Sequence, residues 1–234
     1  FDLIVGCDGT YSKIRSEISK KINKIDEVLT LEHGYKELHI PPQDNDWALN
    51  PKCLHIWPHG GSMMIALPNL DHSFTCTLFW PYKGNHSFEE VNEKFNSNPN
   101  EINSFFEKNY PSAFKLIPNL IPDWNSNPIS SLPMVKCSQY HYGETAVLLG
   151  DAAHAIVPFY GQGMNCAFED VHVLVKSLRD YSSVKDALLN YNNLRKPNGD
   201  AIRELALDNF IEMRDKVSKK IFLFEKKIGQ ILYK

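Results

Sequence analysis

Gly150 and Asp151 close an apolar run, Ala146 to Leu149, and Pro158, Gly161, Gly163, Met164 and Asn165 follow within fifteen residues. The chemistry this spacing offers is the holding of a ligand. The order reads as a strand, a glycine-bearing loop and a helix start, with helix predicted from Met164 to about Arg179. A helix start carries backbone N–H groups with no intrahelical partner and a partial positive charge. It seats an electron-rich or anionic group. Glycines let that group approach the backbone, because no Cβ intervenes. Asp151, at the strand end, is placed to accept hydrogen bonds from ligand hydroxyls.

A second strand-end motif lies near the start of the chain. In DLIVGCDGTYSKIR, residues 2–15, Asp8-Gly9 is followed by Ser12 and Arg15 in a DGxxSxxR spacing. Leu3-Ile4-Val5 suits a short buried parallel strand. A short helix is predicted from Ser12 to about Ser19, with Arg15 facing back toward the loop. A third feature is Asn209. Pro197 and Gly199 predict a helix end, and Asp200 the N-cap of a new helix. The apolar stripe of that helix runs through Leu205, Met213, Val217, Ile221, Phe224, Ile228 and Leu232, and Asn209 falls inside it. A polar amide on a buried face must find partners. Either nearby backbone satisfies Asn209, or it faces a ligand.

Between the motifs, LHIWP, SMMIALP and SFTCTLFWP read as short antiparallel strands, rich in aromatic and β-branched residues and bounded by Pro, Gly and Asn. Residues 85–120 interrupt them with a polar, Asn-rich helical insertion, and the chain after about Ser182 is mostly helical. Of the 234 residues, 43% are hydrophobic and 23% charged, which predicts a packed core. A net charge of −3 without a basic block or basic-aromatic stripe argues against nucleic acid as a partner. The five cysteines, Cys7, Cys53, Cys76, Cys137 and Cys166, form no CxxC pair and read as small buried hydrophobes in a reducing, intracellular compartment. No metal-ligand spacing is present. No signal peptide is visible, and no apolar stretch approaches the roughly 18–20 residues of a transmembrane helix. The chain opens on a strand already under way at Phe1 and stops within a helical pattern, and is read as a fragment.

Taken together, GDAAHAIVPFYGQGMN and the Asp-Gly motif, with a β-rich insert between them, resemble the class A flavoprotein monooxygenases, the para-hydroxybenzoate hydroxylase-like aromatic hydroxylases. The strings LHIWP, MMIALPN, SFTCTLF, VKCS, FED and NFIEMR are similar to the kynurenine 3-monooxygenase branch of that family. The resemblance implies an α/β (α+β) fold: an incomplete FAD-binding Rossmann-like domain with an inserted antiparallel β-sheet substrate domain and C-terminal helices. Residues 1–30 and 139–182 would belong to the FAD-binding domain, 31–138 to the sheet domain, and 183–234 to the C-terminal helices. It implies FAD and NADPH as cofactors, dioxygen as co-substrate, and 3-hydroxylation of L-kynurenine to 3-hydroxy-L-kynurenine in tryptophan catabolism.

The implied cofactor residues are Asp8, Gly9, Lys13, Arg15, Gly150, Asp151, Pro158, Gly163, Met164 and Asn165. Asp151 corresponds to the aspartate on the ribityl chain, and Met164 and Asn165 to contacts with the flavin ring. Lys13 stands where a threonine is expected. Arg15 either assists the pyrophosphate or NADPH, or forms a surface salt bridge. Asn209 and Glu212, in NFIEMR, match residues that hold the amino-acid end of the substrate. Phe159, Phe79, Ile65 and Leu54 match its apolar wall; core packing is the alternative for each, and for Leu54 and Ile65 the sequence alone favours core packing heavily. His154 reads as structural, and no protein side chain is assigned as catalytic. The family's GxGxxG unit is absent from this stretch, as is the membrane anchor through which attachment to the mitochondrial outer membrane is implied. The chain alone is therefore expected neither to bind FAD tightly nor to turn over. Two alternatives stand beside this reading: a hydroxylase of another aromatic acid, and a non-catalytic truncated product.

Overall fold

The computed structural model describes residues 2–217. In chain order the elements are β1 (Ile4–Gly6), α1 (Lys13–Ile22), β2 (Glu27–Ile40), β3 (His55–Pro58), β4 (Met63–Pro68) and β5 (Phe74–Pro81). There follow α2 (Phe88–Ser97), α3 (Glu101–Asn109), α4 (Pro111–Phe114), α5 (Leu120–Ser126), β6 (Ser130–Lys136), β7 (His141–Tyr142) and β8 (Ala146–Leu148). The chain continues with α6 (Asp151–His154), a 3-10 turn (Pro158–Tyr160), α7 (Gly163–Asp180), α8 (Val184–Ile211) and a π turn (Glu212–Lys216). Two compact units result: residues up to Thr30 with Pro133–Phe210, and Leu31–Leu132 with the residues from Ile211 on.

The first unit is built on a three-stranded sheet of order β1-β8-β7. β8 runs parallel to β1, with Ile4 opposite Ala146 and Gly6 opposite Leu148, and antiparallel to β7. The three residues of β8 are all buried, whereas Ile4 and Val5 of β1 are 45% and 47% exposed, against the expectation of a buried strand. Val147 and Leu148 form a core with Ile18 of α1, Leu174 of α7 and Leu188 and Tyr191 of α8.

The second unit carries a five-stranded sheet of order β3-β4-β5-β2-β6. β2 pairs antiparallel with β5 from His33 opposite Pro81 to Ile40 opposite Phe74. The helical insertion exists because its apolar residues cover one face of this sheet. Trp80 of β5 is fully buried and ringed by Phe88, Phe105, Phe106, Tyr110 and Trp124, and its indole Nε1 donates to Tyr110 Oη at 3.1 Å. Pleat alternation puts Leu78 and Cys76 on this same face and Phe79 on the other.

Three sequence expectations are corrected here. α8 is continuous through Pro197, whereas Pro197 and Gly199 predicted a break. Gly199 is buried in mid-helix, and a Cβ there would lie 2.4 Å from Tyr140 Oη and 3.2 Å from His154 Cβ. Glycine serves close packing at that position, not a left-handed cap. Asp200 pairs along the helix with Lys196 at 2.6 Å and Arg203 at 2.7 Å in place of capping it. The predicted stripe holds at Met213 but not at Leu205. Leu205 is 48% exposed, while Ala206, Phe210 and Met213 are buried. A π turn, closed by Val217 N–H donating to Glu212 O at 3.1 Å, follows the helix. Ile221, Phe224, Ile228 and Leu232 lie outside the described residues. Lastly, Cys76 and Cys137 are buried as expected, but Cys7 and Cys53 are exposed.

Candidate functional site

The parallel pairing of β1 and β8 brings their carboxyl ends, and hence both strand-end motifs, side by side in the first unit. A cleft of about 690 Å³ opens there, lined by Cys7, Gly9, Leu149, Gly150, Asp151, Gly163, Met164 and Phe168 among others. Gly9 (φ +80°) and Gly150 (φ +59°) hold left-handed backbone that an L side chain resists. A Cβ on Gly9 would meet nothing within 4 Å, so that backbone lies open, and one on Gly150 would press on Ala167 Cβ at 3.2 Å. Pro158 and Met164 are exposed at the cleft, and Asn165 is exposed beside Met164.

α7 starts at this cleft with its first turn uncapped by a side chain: Gln162 stands at the N-cap position and makes no side-chain cap hydrogen bond. Gln162 instead receives a hydrogen bond from Asn165 Nδ2 at 2.9 Å through its Oε1. The N–H groups of Gly163, Met164 and Asn165 therefore have no partner within the helix. A negative group there gains roughly 0.3–1 kcal/mol from the helix dipole. Phe168 and Val171 continue the apolar lining from Met164 at helical spacing. That i, i+4, i+7 stripe was readable in the sequence but was not singled out.

Asp8 caps α1. Its carboxylate accepts from Ser12 Oγ at 2.5 Å, Lys13 N–H at 2.7 Å and Ile14 N–H at 3.3 Å. Burial works to raise its pKa, but these hydrogen bonds prevail and hold it below the usual value. Lys13 thus contributes its backbone N–H to Asp8 and stands exposed. Arg15 is 5% exposed, and its guanidinium donates to Ala152 O at 2.7 Å and Thr10 O at 2.6 Å. This corrects the surface-salt-bridge reading: Arg15 ties the first motif to the second.

Sequence reasoning passed over the polar centre behind the cleft. Asp170 of α7 is fully buried. Its Oδ2 accepts from Gly150 N–H at 2.8 Å and lies 2.6 Å from His154 Nε2, while its Oδ1 accepts from Arg195 Nε at 2.7 Å. Arg195, also buried, reaches Glu169 at 2.5 Å. Burial would raise the Asp170 pKa, yet the bonds from His154, Gly150 and Arg195 hold it below the usual carboxylate value. His154 is structural, as the sequence suggested. The available signal was Asp170 standing four residues before Leu174 on the buried face of α7.

The predicted substrate residues divide between the units. In the first, Phe159 stacks on Phe210 with ring centroids 4.4 Å apart, and Asn209 Nδ2 donates to Phe159 O at 2.5 Å. Backbone thus satisfies that amide N–H. In the second, Phe79 is opposite Met63, and Ile65 opposite Thr77, so Phe79 and Ile65 share the sheet face away from Trp80. Leu54 is 47% exposed before β3, and Glu212 opens the π turn.

A family model described as FAD binding domain matches residues 2–206. The chain belongs to the FAD binding domain family. It is similar to kynurenine 3-monooxygenase of Dictyostelium discoideum, 46% identical over 98% of this chain and 52% of that protein. It is also similar to kynurenine 3-monooxygenase of Sus scrofa, 42% identical over 99% of this chain and 48% of that protein. The chain therefore spans about half the length of the curated relatives it matches. Its fold is similar to that of 2-methyl-3-hydroxypyridine-5-carboxylic acid oxygenase, with a TM-score of 0.61 and 24% identity over 88% of this chain and 53% of that one. Membership in the FAD binding domain family fits the site. The open glycine backbone, the uncapped start of α7 and the exposed Asp151 carboxylate supply the close approach, donors and acceptor that a flavin and its polyhydroxyl chain require.

Proposed function

We propose that the complete protein is an FAD- and NADPH-dependent monooxygenase that hydroxylates L-kynurenine at ring position 3. The observation that carries this reading is the agreement in name of relatives as distant as an amoeba and a mammal, each aligned along nearly the whole chain. When bound, FAD supplies the redox chemistry, accepting reducing equivalents from NADPH and delivering one atom of dioxygen to the ring. The chain's own work is placement. Gly9, Gly150 and Gly163 keep backbone accessible, Asp151 takes the ribityl hydroxyls, and the N–H groups of Met164 and Asn165 face the flavin. Asp8, Lys13 and Arg15 shape the loop beside it, and Pro158 borders the cleft.

Phe159, Phe79, Ile65 and Leu54 are assigned to the apolar wall, and Asn209 and Glu212 to the amino-acid end of the substrate. A carboxylate such as Glu212 suits a zwitterion, whose α-ammonium it can pair, better than a simple aromatic acid. Among the described residues no cluster of His, Cys, Asp or Glu could hold a metal, and no helix is long and apolar enough to cross a membrane. An intracellular setting at the mitochondrial outer membrane belongs to the same proposal. The test is NADPH oxidation by the complete purified protein across a panel of L-kynurenine, salicylate and simple phenols. L-Kynurenine should stimulate oxidation most strongly. Equal or greater stimulation by the other compounds would overturn the substrate assignment.

A further inference from the structure

We propose that Asp170 is the positioning residue of the flavin cleft, fixing the Gly150 peptide against the helix that forms the opposite wall. This rests on the FAD reading above. Gly150 and Asp151 end β8 on one side of the cleft, and Gly163, Met164 and Ala167 of α7 form the other. Asp170 belongs to α7, and its Oδ2 takes the Gly150 N–H at 2.8 Å. One carboxylate therefore ties both walls together. It is itself held from behind: His154 lies 2.6 Å from the same oxygen, and Arg195 Nε donates to the other at 2.7 Å. Arg195 also donates through Nη2 to Cys166 O at 3.3 Å, within the second turn of α7.

Two physical points favour positioning over plain stability. A buried ionic network is a poor source of stability, since well-packed apolar residues of equal volume commonly do as well or better. What such a network supplies is a single geometry. Gly150, moreover, has φ +59° and ψ −140°, a conformation open to glycine but not to other residues and one that sets the direction of Asp151. All the groups around Asp170 donate. An amide at that position would turn its NH2 either toward Gly150 and His154 or toward Arg195, and so leave at least one donor without an acceptor whichever way it is flipped.

The test uses the complete protein and compares Asp170→Asn with Leu188→Ala, which empties a fully buried site in the same core. Hydrogen exchange is measured without FAD, and FAD affinity by flavin fluorescence. Asp170→Asn should speed exchange across residues 150–153 and weaken FAD by about tenfold, the effect of one lost charge-assisted contact. Leu188→Ala should lower Tm and leave the FAD affinity of the folded protein unchanged. An Asp170→Asn protein that binds FAD as the parent does, or two variants that lose FAD in proportion to lost stability, would overturn the proposal. If Asp170→Asn does not fold, Arg195→Lys is the second variant. It keeps the charge but loses the Nε donor, and it should move both readouts in the same direction by less; unchanged readouts would count against the proposal. Failure of the parent protein to bind FAD would instead overturn the functional reading.

Discussion

At the scale of residues, Gly199 is the most tightly hemmed of the described glycines. Its Cα hydrogen faces the buried Tyr140 hydroxyl, and a methyl placed there at 2.4 Å cannot be absorbed by a flexible neighbour. Gly199→Ala should therefore destabilise by about 1–3 kcal/mol, opposite in sign to the exchange at an exposed helix position. Urea unfolding measures it, and a gain in stability would contradict the packing described. Asp170 sets a pH dependence. Burial opposes its ionisation, but its donors hold the folded pKa below the ordinary 3.8. Between the two values the unfolded chain binds the proton and the folded one does not. The stability Asp170 contributes is thus present above 3.8 and lost as pH falls through the lower, folded value. Acid unfolding of the parent below about pH 5 should be steeper than that of Asp170→Asn. Equal slopes would show that the carboxylate contributes nothing by ionising.

At the scale of elements, α8 carries a proline in its interior. A helix-interior proline costs about 3 kcal/mol against alanine, and alanine returns about 0.4–1 kcal/mol of freedom to the unfolded chain. Pro197→Ala should therefore stabilise by about 2–2.6 kcal/mol in thermal unfolding. No gain would mean that the helix is interrupted there after all. The same helix shows what local pattern conveys. β8, the Gly150-Asp151 turn and α7 were legible because apolar run, glycine and helix period agree with one another. α8 was misread because proline and glycine are breakers by local preference, while burial of Tyr191, Arg195, Ala206 and Phe210 on either side overrides it. The face of the second sheet was unreadable for another reason. Thr77 and Phe79 alternate with Leu78 and Trp80, and only the covering helices decide which set meets the aromatic core. Asp170 escaped notice because its three partners, Gly150, His154 and Arg195, stand 16 to 25 residues away along the chain.

At the scale of the whole molecule, two units divide the labour. The glycine-lined cleft lies within the first, between the end of β8 and the start of α7. The second buries its own aromatic core around Trp80 and offers Phe79 and Ile65 on the opposite sheet face. Membership in the FAD binding domain family fits the cleft. The most direct test is the fate of the oxygen atom. The complete protein, loaded with FAD and supplied with NADPH, L-kynurenine and isotopically labelled dioxygen, should yield 3-hydroxy-L-kynurenine carrying one labelled atom. NADPH consumption that yields only hydrogen peroxide, or a hydroxylated product whose oxygen comes from water, would contradict the account.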